Sequence, residues 1–359
     1  MGNGYTIAFI DSWHKEVKEG SGTAVAVSGL QKALRIEGHS VRIFSPNRLP
    51  TSATQLLLSR LRFNLRILPK LLRSQADIHV GVDLDGFLYS FLRPKHRLYF
   101  CCVKGIATDE ARYETGFVQK LLKINGEIEK RNAQSSDIVV TTSRYCKKRI
   151  RELYGISPEK IAIVPEGIDL SLWRQKIKLY QNSSTRSPRP LTILCVARQY
   201  PRKRIELLLQ AVASLRKKFP DLRLRIVGEG PEHARLRQLA KDLDLQGSLL
   251  GAPNNIFPEY AKADIFCLPS IQEGFGIVFL EAMASGLPIV AARSAAVPEV
   301  VSQGITGLLA KPDDAKSLAA NLERLLRNPS LRQKMGAAGQ KKVQHYDWKK
   351  IASQFSRLI

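Results

Sequence analysis

Short apolar runs recur along the chain, each closed by glycine, proline or a polar turn and followed by apolar positions three and four residues apart. Runs of the first kind predict buried strands, and the spacing of the second predicts helices. Tyr5 to Asp11 (YTIAFID) is the first strand. A polar loop ends in Gly20, Ser21, Gly22 and Thr23, and a helical pattern runs on to about Glu37, with Gly38 placed to cap it. Further strands are predicted over Val41 to Phe44, Asp77 to Val82, Arg97 to Val103, Asp137 to Thr142 and Lys160 to Val164. Ser143 precedes the basic helical pattern from Arg144 to Leu153 as its N-cap. The polar stretch from Gln181 to Pro190 (QNSSTRSPRP) has the composition of a linker.

The alternation restarts at Leu191. Strands are predicted over Leu191 to Ala197, Leu222 to Val227, Ser248 to Leu250, Asp264 to Leu268, Pro288 to Ala292 and Gly307 to Ala310. Helices are predicted over Arg204 to Phe219, Glu232 to Leu243, Ala315 to Leu326 and Ser330 to His345, with short helical turns near Tyr260 and over Pro298 to Val301. Alternating strands and helices in both halves predict an α/β fold of two doubly wound parallel sheets, with an active cleft at the carboxyl ends of the strands. The expected division is an N-terminal domain over 1–170, a linker over 171–190 and a C-terminal domain over 191–346.

The net charge of +24 suits an anionic partner: nucleic acid, an anionic membrane surface or a phosphorylated ligand. The basic residues are spread over the chain without a recognition motif, which argues against nucleic acid. No acidic residue lies between Glu37 and Asp77. In that window Leu57, Leu61, Leu65, Leu68 and Leu72 interleave with Arg60, Arg62, Arg66, Lys70 and Arg73. This is either a surface helix with leucines in the core and arginines in water, or a membrane-surface element. Pro69 is expected to kink or split it. The five cysteines form no CxxC pattern, so reduced, cytoplasmic thiols are expected. No signal-peptide pattern and no membrane-spanning run is read from the sequence.

The chemistry concentrates in Glu273 to Gly286, EGFGIVFLEAMASG. It follows a strand and reads as a loop entering a helix, with Glu273 in the loop and Glu281 inside the helix. Gly274 and Gly276 allow a tight path, so backbone N–H groups at the helix start can hold phosphate. A carboxylate deeper in the helix can accept hydrogen bonds from a diol such as ribose. The earlier Gly20–Gly22 loop either holds a ligand or only makes its turn.

Here the sequence resembles glycosyltransferase family 4, whose signature is two glutamates separated by seven residues, met by Glu273 and Glu281. The likeness covers nearly the whole chain and is strongest from Ile193 to Ala310. It implies the GT-B architecture, two Rossmann-like domains facing a central cleft, with the last helix, over 347–359, packing back on the N-terminal domain through Trp348, Ile351 and Phe355. It implies a retaining, metal-independent transfer of a sugar from a UDP- or GDP-type donor, without a cofactor, to a sugar or lipid-linked acceptor. Arg198 and Lys203 in ARQYPRKR map to the phosphate-binding cations, Glu281 to the ribose contact and Glu273 to the donor sugar. Gly22, Gly274, Phe275, Gly276, Ile277 and Val278 complete the donor set. A base pocket is expected around Gly228 to Pro231 and Gly251 to Asn255.

The sequence departs from the family in two places. No histidine follows the strand LYFCCV, where Lys104, Asp109 or Glu110 stands instead, and Glu166 replaces a common asparagine. Of two DLD triplets, Asp242 to Asp244 reads as a helix end, and Asp83 to Asp85 as a possible acceptor-side group rather than a metal site. The competing functions are a GT-B relative with other chemistry, such as a phosphorylase or epimerase, and a non-catalytic basic membrane-binding module. Peripheral docking on an anionic leaflet through the helix around Arg60 to Arg73 is also expected.

Overall fold

In the computed structural model, which describes residues 4–12, 22–46, 53–182 and 189–359, the chain divides into two units. Residues 1–167 and 348–359 form the first and residues 168–347 the second. The first unit runs β1 (Thr6–Ile10), α1 (Gly22–Ile36), β2 (Ser40–Phe44), α2 (Ala53–Leu72), β3 (Ile78–Val82), α3 (Phe87–Leu92), β4 (Leu98–Val103), α4 (Ala107–Glu110), α5 (Gly116–Ser135), β5 (Ile138–Thr141), α6 (Arg144–Tyr154) and β6 (Ile161–Ile163). Its six strands are all parallel, in the order β2-β1-β3-β4-β5-β6. Covered on both faces, central strands such as β3 and β4 are almost wholly buried, which is why they read as apolar runs.

The second unit runs α7 (Leu170–Asn182), β7 (Thr192–Val196), α8 (Ile205–Arg216), β8 (Arg223–Val227), α9 (His233–Asp242), α10 (Phe257–Lys262), β9 (Ile265–Leu268), α11 (Ile277–Ala284), β10 (Ile289–Ala292), α12 (Val297–Val300), β11 (Gly307–Ala310), α13 (Ala315–Arg327) and α14 (Pro329–Lys342). Its five strands are parallel in the order β11-β10-β9-β7-β8. The strand expected over Ser248 to Leu250 is reduced to a single bridge between Ile226 and Leu249. The last helix, α15 (Trp348–Ser356), returns to the first unit, where it packs on α1. Gly29 leaves room for it: a Cβ there would lie 2.2 Å from the Trp348 ring.

Several expectations need correction. The expected linker over 171–190 holds α7, and the division falls at Gly167/Ile168. Trp173 and Ile177 of α7 are buried in the core of the second unit, and residues 183–188 of the polar stretch lie outside the described residues. The 20-residue helix α5 went unread. Its Asn125-Gly126 pair has the look of a turn, yet Gly126 sits mid-helix because a Cβ would lie 2.1 Å from Thr108 Oγ1. Helix α2 runs through Pro69 without splitting. Pro69 is exposed, so water can take the carbonyl its missing N–H leaves open.

The face that α2 buries follows the leucine stripe at Leu57, Leu61, Leu68 and Leu72 and departs from it at two positions. Leu65 is 61% exposed, whereas Arg60 is buried. The Asp85 carboxylate is the cause. Its Oδ2 accepts from Arg60 (2.9 Å), the Ser12 N–H (2.8 Å) and the Ser12 hydroxyl (2.6 Å), and its Oδ1 from Asn64 (3.1 Å). A buried carboxylate is tolerable only when paired and hydrogen-bonded, so it draws Arg60 inward. Asp85→Ala should therefore destabilise the first unit by about 3 to 5 kcal/mol, read as an earlier urea transition of that unit, with Asp242→Ala as the surface control.

Candidate functional site

The second unit's sheet reverses its strand order between β7 and β9, the place where doubly wound folds bind ligands. The loops leaving these two strands carry ARQYPRKR and SIQEGFG, so residues some 70 positions apart in sequence become neighbours. The first loop is set by its backbone. Gln199, fully buried, donates its N–H to the Glu229 carbonyl (3.1 Å), and its side chain bonds the Gly228 carbonyl (2.5 Å) and His233 Nδ1 (2.9 Å). Gly228 has φ +114, and a Cβ on Gly230 would stand 2.6 Å from the Gln199 nitrogen. These glycines permit close packing of two loops. A 3₁₀ turn over Pro201–Lys203 follows. Its Arg202 carbonyl accepts from the Ile271 N–H (2.9 Å) and the Ser270 hydroxyl (3.2 Å), which clamps the first loop to the second.

This clamp brings Lys203 Nζ to 2.6 Å from Glu273 Oε1, with both side chains largely buried. Arg198 and Arg202 both lie against the Tyr200 ring, at 5.3 and 4.8 Å from its centroid. Neither Tyr200 nor Arg202 was singled out in the sequence. The run of arginines and lysine around a tyrosine was the available signal, and cation–π stacking is its physical meaning. Gly276 caps α11 at φ +87, where a Cβ would meet the Phe279 ring at 2.6 Å. The first-turn amides of Ile277 and Val278 precede the intrahelical ladder, and no acidic residue occupies that turn. The Phe275 ring is buried, 5.6 Å from that of Tyr346.

Glu281 lies one turn into α11, half-buried. The Tyr260 hydroxyl donates to its Oε2 at 2.6 Å. Burial pushes the Glu281 carboxyl up to about 7, and the Tyr260 hydrogen bond pulls the other way. Tyr260 was missed as a site residue, since a tyrosine in a short helix 21 residues upstream carries no local sign of this contact.

In the first unit, the residues proposed for acceptor chemistry are tied up. Asp109 is fully buried and accepts from the Tyr145 hydroxyl (2.5 Å), Arg149 (2.9 Å) and Arg112 (3.2 Å), which removes it as a base and makes it an anchor for α6. Lys104 Nζ is 3.2 Å from Glu166, both buried. Burial disfavours the ammonium, but the Glu166 carboxylate outweighs it and holds the Lys104 pKa above its ordinary value. Glu166, which stands where the family commonly has asparagine, is thus the partner of Lys104. Asp83 accepts the Lys104 N–H (2.9 Å), and Asp85 is the buried partner of Arg60, so the first DLD triplet is structural. The second is a helix end, with Asp242 closing α9 and Asp244 at φ +54. Gly22 is the exposed first residue of α1, and Gly20 and Ser21 lie outside the described residues.

Two parallel Rossmann-like sheets, the second with cations and a helix N-terminus at its switch point, define the GT-B class of glycosyltransferase fold. Sucrose-phosphate synthase from Thermosynechococcus elongatus shares it at TM-score 0.83 and 21% identity, over 99% of this chain and 98% of that one. WaaG, a glycosyltransferase involved in lipopolysaccharide biosynthesis, does so at TM-score 0.75 and 18% identity, over 98% and 99%. The profile of Glycosyltransferase Family 4 matches residues 20–172, and that of Glycosyl transferases group 1 matches residues 177–342. The chain belongs to glycosyltransferase family 4. It is 31% identical over 245 residues to the GDP-mannose-dependent alpha-(1-6)-phosphatidylinositol monomannoside mannosyltransferase of Mycolicibacterium smegmatis, covering 64% of each. To the GDP-mannose-dependent monoacylated alpha-(1-6)-phosphatidylinositol monomannoside mannosyltransferase of Corynebacterium glutamicum it is 31% identical over 259 residues, 68% of this chain and 65% of that one. The matches therefore span just under two thirds of these relatives.

The raised Glu281 carboxyl has a consequence for stability. The unfolded chain releases this proton near the ordinary carboxylate value, the folded one only near 7, so stability falls as pH rises between the two. Glu281→Gln should remove that fall and make the ligand-free protein more stable above pH 7, on the order of 2 kcal/mol, measured by chemical denaturation at several pH values.

Proposed function

We propose that this chain is a retaining, metal-independent glycosyltransferase that moves a hexosyl group from a UDP- or GDP-type nucleotide-sugar to an acceptor hydroxyl. The observation that carries the reading is the meeting of Lys203 and Glu273 at 2.6 Å beside the N-terminus of α11, with Glu281 further along the same helix. In the transfer, the bond from the anomeric carbon to the β-phosphate oxygen breaks. The acceptor oxygen takes its place, and its proton leaves with the nucleoside diphosphate. Negative charge grows on the β-phosphate as this happens. Arg198, Lys203 and the amides of Ile277 and Val278 stabilise that charge more in the transition state than in the ground state. Glu273 holds Lys203 in place until the donor arrives and then faces the sugar hydroxyls. Glu281 receives the ribose diol. The mannosyltransferase relatives make GDP-mannose the first donor to assay and an inositol-containing lipid the first acceptor, with a role in cell-envelope, polysaccharide or glycolipid synthesis.

Lys203→Ala and Glu281→Ala should each lower donor turnover by about a hundredfold or more, as loss of one preorganised charge contact does. The measurement is release of nucleoside diphosphate from GDP-mannose and UDP-glucose. Turnover unchanged in both variants would overturn the assignment, and turnover that requires inorganic phosphate would point to a phosphorylase.

An anionic membrane surface as partner is supported by α2. Its outward face carries Arg62, Arg66 and Lys70, with Arg73 just past its end, together with Leu58 and Leu65, which are 49% and 61% exposed. Each such cation contributes about 1 kcal/mol at an anionic leaflet, and exposed leucines add apolar burial. Reversing Arg62, Arg66, Lys70 and Arg73 to glutamate should abolish co-sedimentation with phosphatidylglycerol vesicles at low salt. Equal sedimentation of both proteins would remove α2 as the docking element.

A further inference from the structure

We propose that Tyr260 is a positioning residue of the nucleotide site: held by a buried aromatic stack, its hydroxyl commits one oxygen of Glu281 and leaves the other for the ligand's diol. This deepens the reading of Glu281 as the ribose contact and rests on it.

The geometry is restrictive. Tyr260 is fully buried. Its ring stands edge-on to Trp173 of α7 at 5.1 Å and stacks on Phe266 of β9 at 5.9 Å, and Phe266 meets Phe279 of α11 at 6.0 Å. The ring is therefore wedged between the helix that opens the unit, the central strand and the helix that carries Glu281. It has no room to turn away, so its hydroxyl is delivered to Oε2 at 2.6 Å as a fixed feature of the core. Burial holds the phenol well above its ordinary pKa, so it stays a donor and the carboxylate must accept. A carboxylate offers about four lone-pair sites. Tyr260 takes one on Oε2, and no hydrogen bond reaches Oε1 among the described residues. Those on Oε1 suit two adjacent hydroxyls.

The same bond keeps Glu281 usable near neutral pH. Burial favours the protonated carboxyl, which would spend one oxygen on its own proton, and the Tyr260 hydroxyl opposes this by stabilising the charged form. Several ionisable groups on α10 and on the elements packed against α11 are engaged elsewhere. On α10, Glu259 pairs with Arg225; on α7, Tyr180 takes a hydrogen bond from Asn255. Lys342 of α14 donates to the carbonyl of Val300, and the Tyr346 ring lies on Phe275. Burial and Tyr260 are the influences that set Glu281.

The test is calorimetric titration of the full chain with GDP-mannose and with UDP-glucose, over about pH 5.5 to 8.5, for the wild type, Tyr260→Phe and Glu281→Gln. A nucleotide-sugar's diphosphate carries no proton to lose in that range, so any slope belongs to the protein. Wild-type affinity should rise through about pH 7 as Glu281 ionises. Tyr260→Phe, which keeps the ring, should shift that midpoint upward, weaken binding about three- to tenfold at pH 7 and recover toward wild type at the top of the range. Glu281→Gln should bind weakly with no pH step. A uniform loss in Tyr260→Phe with an unmoved midpoint, or no loss, overturns the proposal, as does a flat wild-type profile. Wild-type affinity in Glu281→Gln overturns the reading of Glu281 itself. Thermal unfolding of each variant separates these outcomes from misfolding, and if Tyr260→Phe is unfolded, the pH step of the wild type against Glu281→Gln decides.

Discussion

The reversal of strand order between β7 and β9 is the constraint on which the second unit's site depends. Connections from two adjacent parallel strands leave toward opposite faces of the sheet, so their carboxyl ends open a crevice that no crossover fills. Every element of the site is an answer to that opening. The loop after β7 supplies cations, the loop after β9 supplies Glu273 and a glycine-capped helix start, and the Arg202 carbonyl ties the two together. Without that tie the ammonium of Lys203 and the carboxylate of Glu273 would be two solvated charges. With it they form a contact at 2.6 Å in a site that already excludes much of the water.

The first unit answers the same topology differently. Its order reverses between β1 and β3, and the groups at the ends of those strands are largely bound to one another. Asp85 gathers Ser12, Arg60 and Asn64, and Asp83 fixes the backbone at Lys104. Lys104 and Glu166, the latter where the family commonly has asparagine, form a buried ion pair. Loss of either partner alone would bury a charge without its counter-ion, which costs several kcal/mol.

Glu281 shows the opposite balance. A carboxyl raised to about 7 destabilises the fold at neutral pH, and the protein keeps it in a helix that is otherwise apolar. Strain of this kind gathers where a ligand is to be bound. The aromatic stack around Tyr260 limits the cost by giving the carboxylate one strong hydrogen bond.

The parts legible in the sequence are those set by local rules. Buried parallel strands read as apolar runs, Ser143 declares itself as a cap and accepts from the Cys146 N–H at 3.1 Å, and the spacing of Glu273 and Glu281 places one in a loop and the other in a helix. Long-range partners are not local. Helix α7 looks like a linker until Trp173 finds Phe257 and Tyr260, and α5 looks broken at Gly126 until Thr108 packs there. Asp109 and Lys104 look reactive until Arg149 and Glu166 reach them. By itself the sequence determined the strand and helix alternation, the glycine-led helix start and the residue types of the candidate site. The tertiary structure alone decided which charged groups are spent on holding the fold and which are left for chemistry. Burial and pairing set that choice, and both depend on residues distant in the chain.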